Sequence, residues 1–145
     1  MPIFTGVGTA IVVPFDKNNN IDYAVFEALI EFQIQNDVDA IIVCGTTGEA
    51  ATLTYEEREA AVRFVVEKAA GRVPVISGGG SNSTENSIRL CLDGQNAGAN
   101  GLLCVTPYYN KTTQKGLVEH YTAIAEAVDL PIILYNVPAR TGGIM

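Results

Sequence analysis

The chain has 145 residues, of which 48% are hydrophobic, and carries a formal net charge of −7. That length supports one domain with a buried core. The acidity argues against a nucleic-acid partner, because phosphate binding needs a basic face, and no apolar run approaches the ~20 residues that span a bilayer.

Taken in chain order, short apolar runs alternate with helical patterns. Val7 to Phe15 reads as a first strand. Asp22 then caps a helix whose apolar stripe runs through Phe26, Leu29, Ile30 and Ile34. Ala40 to Cys44 is a second strand, leading into GTTGE (Gly45 to Glu49). Thr54 and Glu57 have capping-box spacing and open a helix with Ala61, Phe64, Val65 and Ala69 on one face, ended by Gly71. Val73 to Ser77 is the third strand, running into SGGG (Ser77 to Gly80). Thr84 caps a helix carrying Ile88, Cys91 and Leu92 that closes near Gly98. Gly101 to Thr106 is strand four, ending in TPYYN (Thr106 to Asn110). A helix from about Thr113 shows Leu117, Tyr121, Ile124 and Val128, and Pro131 to Tyr135 is strand five, ending in YNVPAR (Tyr135 to Arg140). Short, continuous apolar strands between helices imply buried parallel strands in βαβ units. Periodicity leaves an open doubly wound sheet and a barrel both standing.

The strand tips carry the polar chemistry, which is where α/β-barrel enzymes build active sites. GTTGE sets two hydroxyls, Thr46 and Thr47, in a glycine-flanked turn with free backbone N–H groups, a cradle for a small anion such as a carboxylate. It lacks the lysine of a phosphate loop, and it also reads as a plain turn whose threonines satisfy backbone. SGGG suits close approach of backbone to a ligand or a tight turn. Tyr108 and Tyr109 read as packing residues or as phenols offered to a site. Tyr135, at a strand tip beside Asn136 and Pro138, is poised for proton transfer. Arg140 follows in a glycine-bounded loop, either holding a second carboxylate or solvated. His120 lies next to Glu119 with no catalytic partner at useful spacing and is expected on a helix surface. Cys44, Cys91 and Cys104 are odd in number and lack CxxC spacing. Two of them sit in apolar strand-like runs, where Cys is usually a small buried residue, and neither a disulfide framework nor zinc is expected. The start MPIFTGVGTAIVVPF lacks the basic flank and cleavage site of a signal peptide, so a cytoplasmic location is expected.

The segments AIIVCGTTGEAATL (Ala40 to Leu53), PVISGGGSN (Pro74 to Asn82), GLLCVTPYYNKTTQKGL (Gly101 to Leu117) and PIILYNVPARTG (Pro131 to Gly142) occur in order. They resemble the dihydrodipicolinate synthase and N-acetylneuraminate lyase family of pyruvate aldolases, on the dihydrodipicolinate synthase side. The resemblance covers the whole chain. It implies the N-terminal half of a (β/α)8 TIM barrel: four βα units plus a fifth strand, residues 1–145 forming a single half-barrel. It also implies condensation of pyruvate with aspartate semialdehyde on the lysine and diaminopimelate route, in a homodimer or homotetramer. By position, the resemblance gives Thr47 to the pyruvate carboxylate. It gives Thr46, Tyr109 and Tyr135 to a proton relay in which Tyr109 reaches a neighbouring subunit's site, and Arg140 to the semialdehyde carboxylate. Asn82 and Tyr108 align with positions that bind inhibitory lysine in some members, whereas Tyr55, Arg58 and Asn86 depart from the lysine-sensitive pattern. No cofactor or metal is expected.

The family's Schiff-base nucleophile is a lysine on the sixth strand. The four lysines here, Lys17, Lys68, Lys111 and Lys115, end no apolar strand. A Schiff-base lysine must be desolvated so that a neutral amine is available. Residues 1–145 alone are therefore expected to be inactive, either as half of a lyase or as an autonomous half-barrel that binds small carboxylates weakly. Two open sheet edges and an inner face drawn from Ile42, Cys44, Ile76, Leu103, Val105, Ile133 and Tyr135 are expected to drive self-association.

Overall fold

The computed structural model describes residues 2–145. Its elements are β1 (Gly8–Ala10), α1 (Tyr23–Gln35), β2 (Ala40–Val43), a 3-10 turn (Ala50–Thr52), α2 (Tyr55–Ala69), β3 (Val75–Gly78) and α3 (Thr84–Asn96). β4 (Gly101–Val105), α4 (Gln114–Ala127), β5 (Ile132–Tyr135) and the short α5 (Pro138–Thr141) follow.

Local chemistry sets the helix starts. Asp22 accepts from the amide of Val25 at 3.0 Å. Thr54 and Glu57 make the reciprocal pair of a capping box, the Thr54 hydroxyl taking the Glu57 amide and the Glu57 carboxylate taking the Thr54 amide. At α3 the cap is Ser83 rather than the expected Thr84. Ser83 takes the Asn86 amide, which leaves the Thr84 hydroxyl to reach across to α4. α2 ends at Ala69, two residues before Gly71, with Ala70 itself in the left-handed conformation.

The strands are shorter than the apolar runs. β1 stops at Ala10 where Val7 to Phe15 was expected, because the Pro14 carbonyl turns to accept from Asp22 and Phe15 pairs antiparallel with Ile21. β3 starts after Pro74, which has no N–H to give a ladder.

All five strands are parallel and lie in chain order, β1-β2-β3-β4-β5. A doubly wound sheet reverses its strand order at a switch point. This sheet does not, so its winding is that of a (β/α)8 barrel followed through five strands.

Alternation along each strand then divides the side chains. Ile41 and Val43 of β2 pack with Phe26 and Ile30 of α1 and Ala61, Val62 and Val65 of α2, all buried. Leu102 and Cys104 of β4 pack with Cys91 of α3 and Ile124 of α4. Each fully buried side chain of the size of Phe26, Ile30 or Leu102 stabilises the fold by about 1.5–3 kcal/mol.

The opposite face carries Ile42, Ile76, Leu103, Val105, Ile133 and Tyr135, and it is less open than the sequence suggests. Ile76 is fully buried and Cys44 nearly so, while the others are half-buried. Two residues of the N-terminal segment cover its lower end. Ile3 crowds Ile76 over Gly101, and the Phe4 ring crowds Ile42 over Gly8.

Candidate active site at the strand tips

The C-terminal ends of β2 to β5 surround a cleft of about 210 Å³. Thr46 from the tip of β2, Tyr135 from the end of β5 and Arg140 from α5 all line it, with Leu103 and Val105 as an apolar floor. Three of the five candidate residues are thus brought together. Thr47 is exposed beside the cleft without lining it. Tyr109 points away, 90% exposed on a left-handed backbone (φ 70°), and its neighbour Tyr108 lines the cleft in its place.

GTTGE is a strained, specific turn. Left-handed residues bracket it, Cys44 (φ 54°) and Glu49 (φ 52°), neither of them glycine. Such conformations cost energy and persist only where surrounding contacts enforce them. The loop closes through Glu49 N–H to the Thr46 carbonyl (3.1 Å) and Ala50 N–H to the Gly45 carbonyl (3.4 Å). The amides of Thr46 and Thr47 donate to no group among the described residues, so they are available to an incoming anion. β3 passes so close behind that a Cβ on Gly78 would sit 1.9 Å from the Cys44 carbonyl oxygen. Only glycine fits there.

Arg58, which the sequence reading noted only as a departure from the lysine-sensitive pattern, helps to build the cleft wall. From the first turn of α2 its guanidinium donates to the Gly78 carbonyl at 2.7 Å and to the Ala50 carbonyl at 3.4 Å. It thereby ties the tip of β3 to the turn after GTTGE, in the wall of the cleft. One sequence signal marks it: a cation in the first turn of a helix opposes the macrodipole and so calls for another purpose. Arg58 also borders an adjoining hollow lined by Tyr55, Asn86 and Tyr108. Arg140 lies in the helical turn of α5, which Val137 and Pro138 close through the amides of Thr141 and Gly142, and not in a loop as expected.

Cys44, the lysines and His120 are unsuited to serve as the nucleophile of this cleft. Burial pushes the Cys44 thiol up to about 11, only partly offset by the Arg58 charge. Lys68 pairs with Glu27 at 2.9 Å, and that hydrogen bond raises its pKa, the reverse of what a nucleophilic amine needs. Lys17, Lys111 and Lys115 are exposed, and no lysine lines the cleft. His120, expected at the surface, is 6% exposed. α4 packs against α3 and buries it, with Nδ1 2.9 Å from the Thr84 hydroxyl and Nε2 without a partner among the described residues. Burial lowers its pKa.

Residues 3–145 match the model of the dihydrodipicolinate synthetase family. The chain belongs to that family. It is 58% identical over 142 residues to the 4-hydroxy-tetrahydrodipicolinate synthase of Lachnoclostridium phytofermentans, covering 98% of this chain and 48% of that protein. It is 56% identical over 141 residues to the same-named enzyme of Thermoanaerobacter pseudethanolicus, covering 97% of this chain and 47% of that protein. The crystal structure of dihydrodipicolinate synthase from Thermotoga maritima superposes with a TM-score of 0.95 at 52% identity, covering 97% of this chain and 48% of that one. The chain spans about half the length of the curated relatives it matches. Its sheet is the N-terminal half of the family's (β/α)8 barrel, four βα units and a fifth strand. Among the described residues no helix is long and apolar enough to cross a membrane.

Proposed function

We propose that these residues form the N-terminal half of the active site of a lyase that condenses pyruvate with aspartate semialdehyde in lysine and diaminopimelate biosynthesis. The observation that carries the reading is the convergence of Thr46, Tyr135 and Arg140 on one apolar-floored cleft, in a chain 58% identical to a 4-hydroxy-tetrahydrodipicolinate synthase. Thr47, whose amide has no partner among the described residues, receives the pyruvate carboxylate. Arg140 receives the carboxylate of the semialdehyde, for which a guanidinium fork is the geometric match. Tyr135 acts as acid and base over the Schiff base, and Thr46 links its phenol to Tyr109.

The outward course of Tyr109 suits a relay completed between subunits, so the working unit is a homodimer or homotetramer. The Schiff-base amine lies outside residues 1–145, since none of their lysines lines the cleft. We infer that these residues bind a small carboxylate weakly but do not turn it over.

Pyruvate added to the 1–145 polypeptide with borohydride is expected to leave its intact mass unchanged. Titrated by NMR, pyruvate is expected to shift the Thr47 amide with a dissociation constant of about a millimolar, on the order of 4 kcal/mol. A stoichiometric pyruvyl adduct on any lysine would overturn the inactivity. A silent Thr47 amide at high pyruvate would overturn the carboxylate site.

A further inference from the structure

Cys91 and Cys104 stand thirteen residues apart in sequence, yet their sulfurs are 3.5 Å apart. Cys91 projects from the inward face of α3 and Cys104 from the helix-facing side of β4, so the contact joins two adjacent packed elements. Both are fully buried. Cys44 is separate, its Sγ donating to the Arg58 carbonyl at 3.9 Å. The proposed lyase chemistry uses neither member of the pair, and buried cysteines ordinarily serve as small apolar residues. Two features set this pair apart. The first is the sulfur–sulfur contact itself, which needs a further approach of about 1.5 Å to reach the ~2.05 Å of a disulfide. The second is its position behind a cleft-lining loop. Cys91 Sγ donates to the Gly79 carbonyl at 3.8 Å, and Gly79 lies so close that a Cβ on it would sit 2.6 Å from that sulfur. Gly78 and Gly80, on either side, line the cleft.

We propose that Cys91 and Cys104 form a redox-active dithiol that hydrogen peroxide closes to a disulfide, withdrawing the thiol donor from the Gly79 carbonyl beside the cleft. The single Cys91 S–H lies within reach of both the Gly79 carbonyl and the Cys104 sulfur, and sharing it with Cys104 favours Cys104 as the thiolate of the pair. The Cys104 thiolate attacks one peroxide oxygen and the O–O bond breaks. The departing oxygen takes up a proton and leaves as water, which gives a sulfenic acid. The Cys91 sulfur then attacks the sulfenic sulfur, and the displaced hydroxyl leaves with the Cys91 proton as a second water. Two thiols and one peroxide become one disulfide and two waters, with two electrons passing from sulfur to oxygen. Peroxide is close to water in size, so a local opening between α3 and β4 suffices to admit it. Burial makes the reaction slower than at an exposed thiol.

The test treats the folded 1–145 chain with excess hydrogen peroxide while circular dichroism follows its fold. The remaining thiols are then alkylated in denaturant and intact mass is measured. Oxidation is expected to remove two hydrogens, to protect two cysteines from alkylation and to be reversed by dithiothreitol. Trypsin leaves both cysteines in one peptide, and cleavage before Asp93 alone leaves Cys91 joined to Cys44, so the two cleavages are combined to give Leu90 to Leu92 and Asp93 to Lys111. The two fragments are expected to stay joined until reduced. The Cys44→Ser variant should behave identically, and the Gly79 and Gly80 amide resonances should shift between the reduced and oxidised forms. Three free thiols after treatment would overturn the proposal. So would a bridge through Cys44 or between chains, sulfinic acid without a crosslink, or loss of fold on oxidation. A disulfide that leaves the Gly79 amide unmoved would overturn its link to the cleft. Because the mapping needs only the unsubstituted chain, a Cys91→Ser variant that fails to fold does not weaken the result.

Discussion

Replacing Arg58 by alanine tests whether the cleft wall depends on a single side chain. The guanidinium makes one well-formed bond, 2.7 Å to the Gly78 carbonyl, and one at 3.4 Å to the Ala50 carbonyl. A hydrogen bond from a charged donor contributes about 1.5–3 kcal/mol, whereas one near 3.5 Å contributes little. Arg58 is only half-buried, so water can take over part of the lost contact and the lower end applies, about 1.5 kcal/mol. For a domain of this size that lowers the thermal midpoint by roughly 5 °C. The effect is local as well as global. The Ala50, Ala51 and Gly79 amides should shift in an NMR spectrum, and pyruvate should bind the GTTGE loop more weakly because its far end is released. With the Arg58 charge gone, the Cys44 thiol should titrate higher still than about 11. Arg58→Lys keeps the charge and one donor but loses the fork, so it should fall between the two. An alanine variant with an unchanged midpoint and unmoved Ala50 and Gly79 amides would refute the reasoning.

Other consequences follow from particular contacts. His120 has its pKa lowered by burial, so the folded state resists a proton that the unfolded chain accepts near pH 6.5. Stability with respect to this group is full above that pH and is lost as pH falls from there toward the lower folded value. Urea unfolding across this window should show the slope in the unsubstituted chain and a shallower one in His120→Gln. Thr54→Ala removes one arm of the α2 capping box and should cost about 1 kcal/mol in chemical denaturation. β1 and β5 each have one unpaired edge in the sheet, and Val7, Val12 and Leu134 are 64%, 44% and 50% exposed. Light scattering at low micromolar concentration is therefore expected to find a dimer or larger, and a well-folded species at the monomer mass would contradict this.

Much of the fold is legible along the chain because its determinants are local. The Thr54–Glu57 box, the Asp22 cap and the apolar stripe of α1 each act within one or two helical turns, and each appears in the structure. Strand ends were less legible. An apolar run such as Val7 to Phe15 continues past the last ladder bond, and where pairing stops depends on what Pro14 and Phe15 find elsewhere.

The tips that hold Thr46, Tyr135 and Arg140 could be picked out from residue type and position alone, since each follows directly on a strand. Their convergence on one cleft could not. It depends on parallel strands in unbroken order, a pairing between segments dozens of residues apart on which periodicity is silent. The same holds for Arg58, which reaches a carbonyl twenty residues away, for the burial of His120 between α3 and α4, and for the contact of Cys91 with Cys104. Sequence by itself determined the elements, the polar tips and the family, because propensity, capping and motif are short-range properties of the chain. Tertiary structure alone decided which tips share a cleft, which polar side chains lose their water and which sulfurs meet, because those follow from the packing of distant segments.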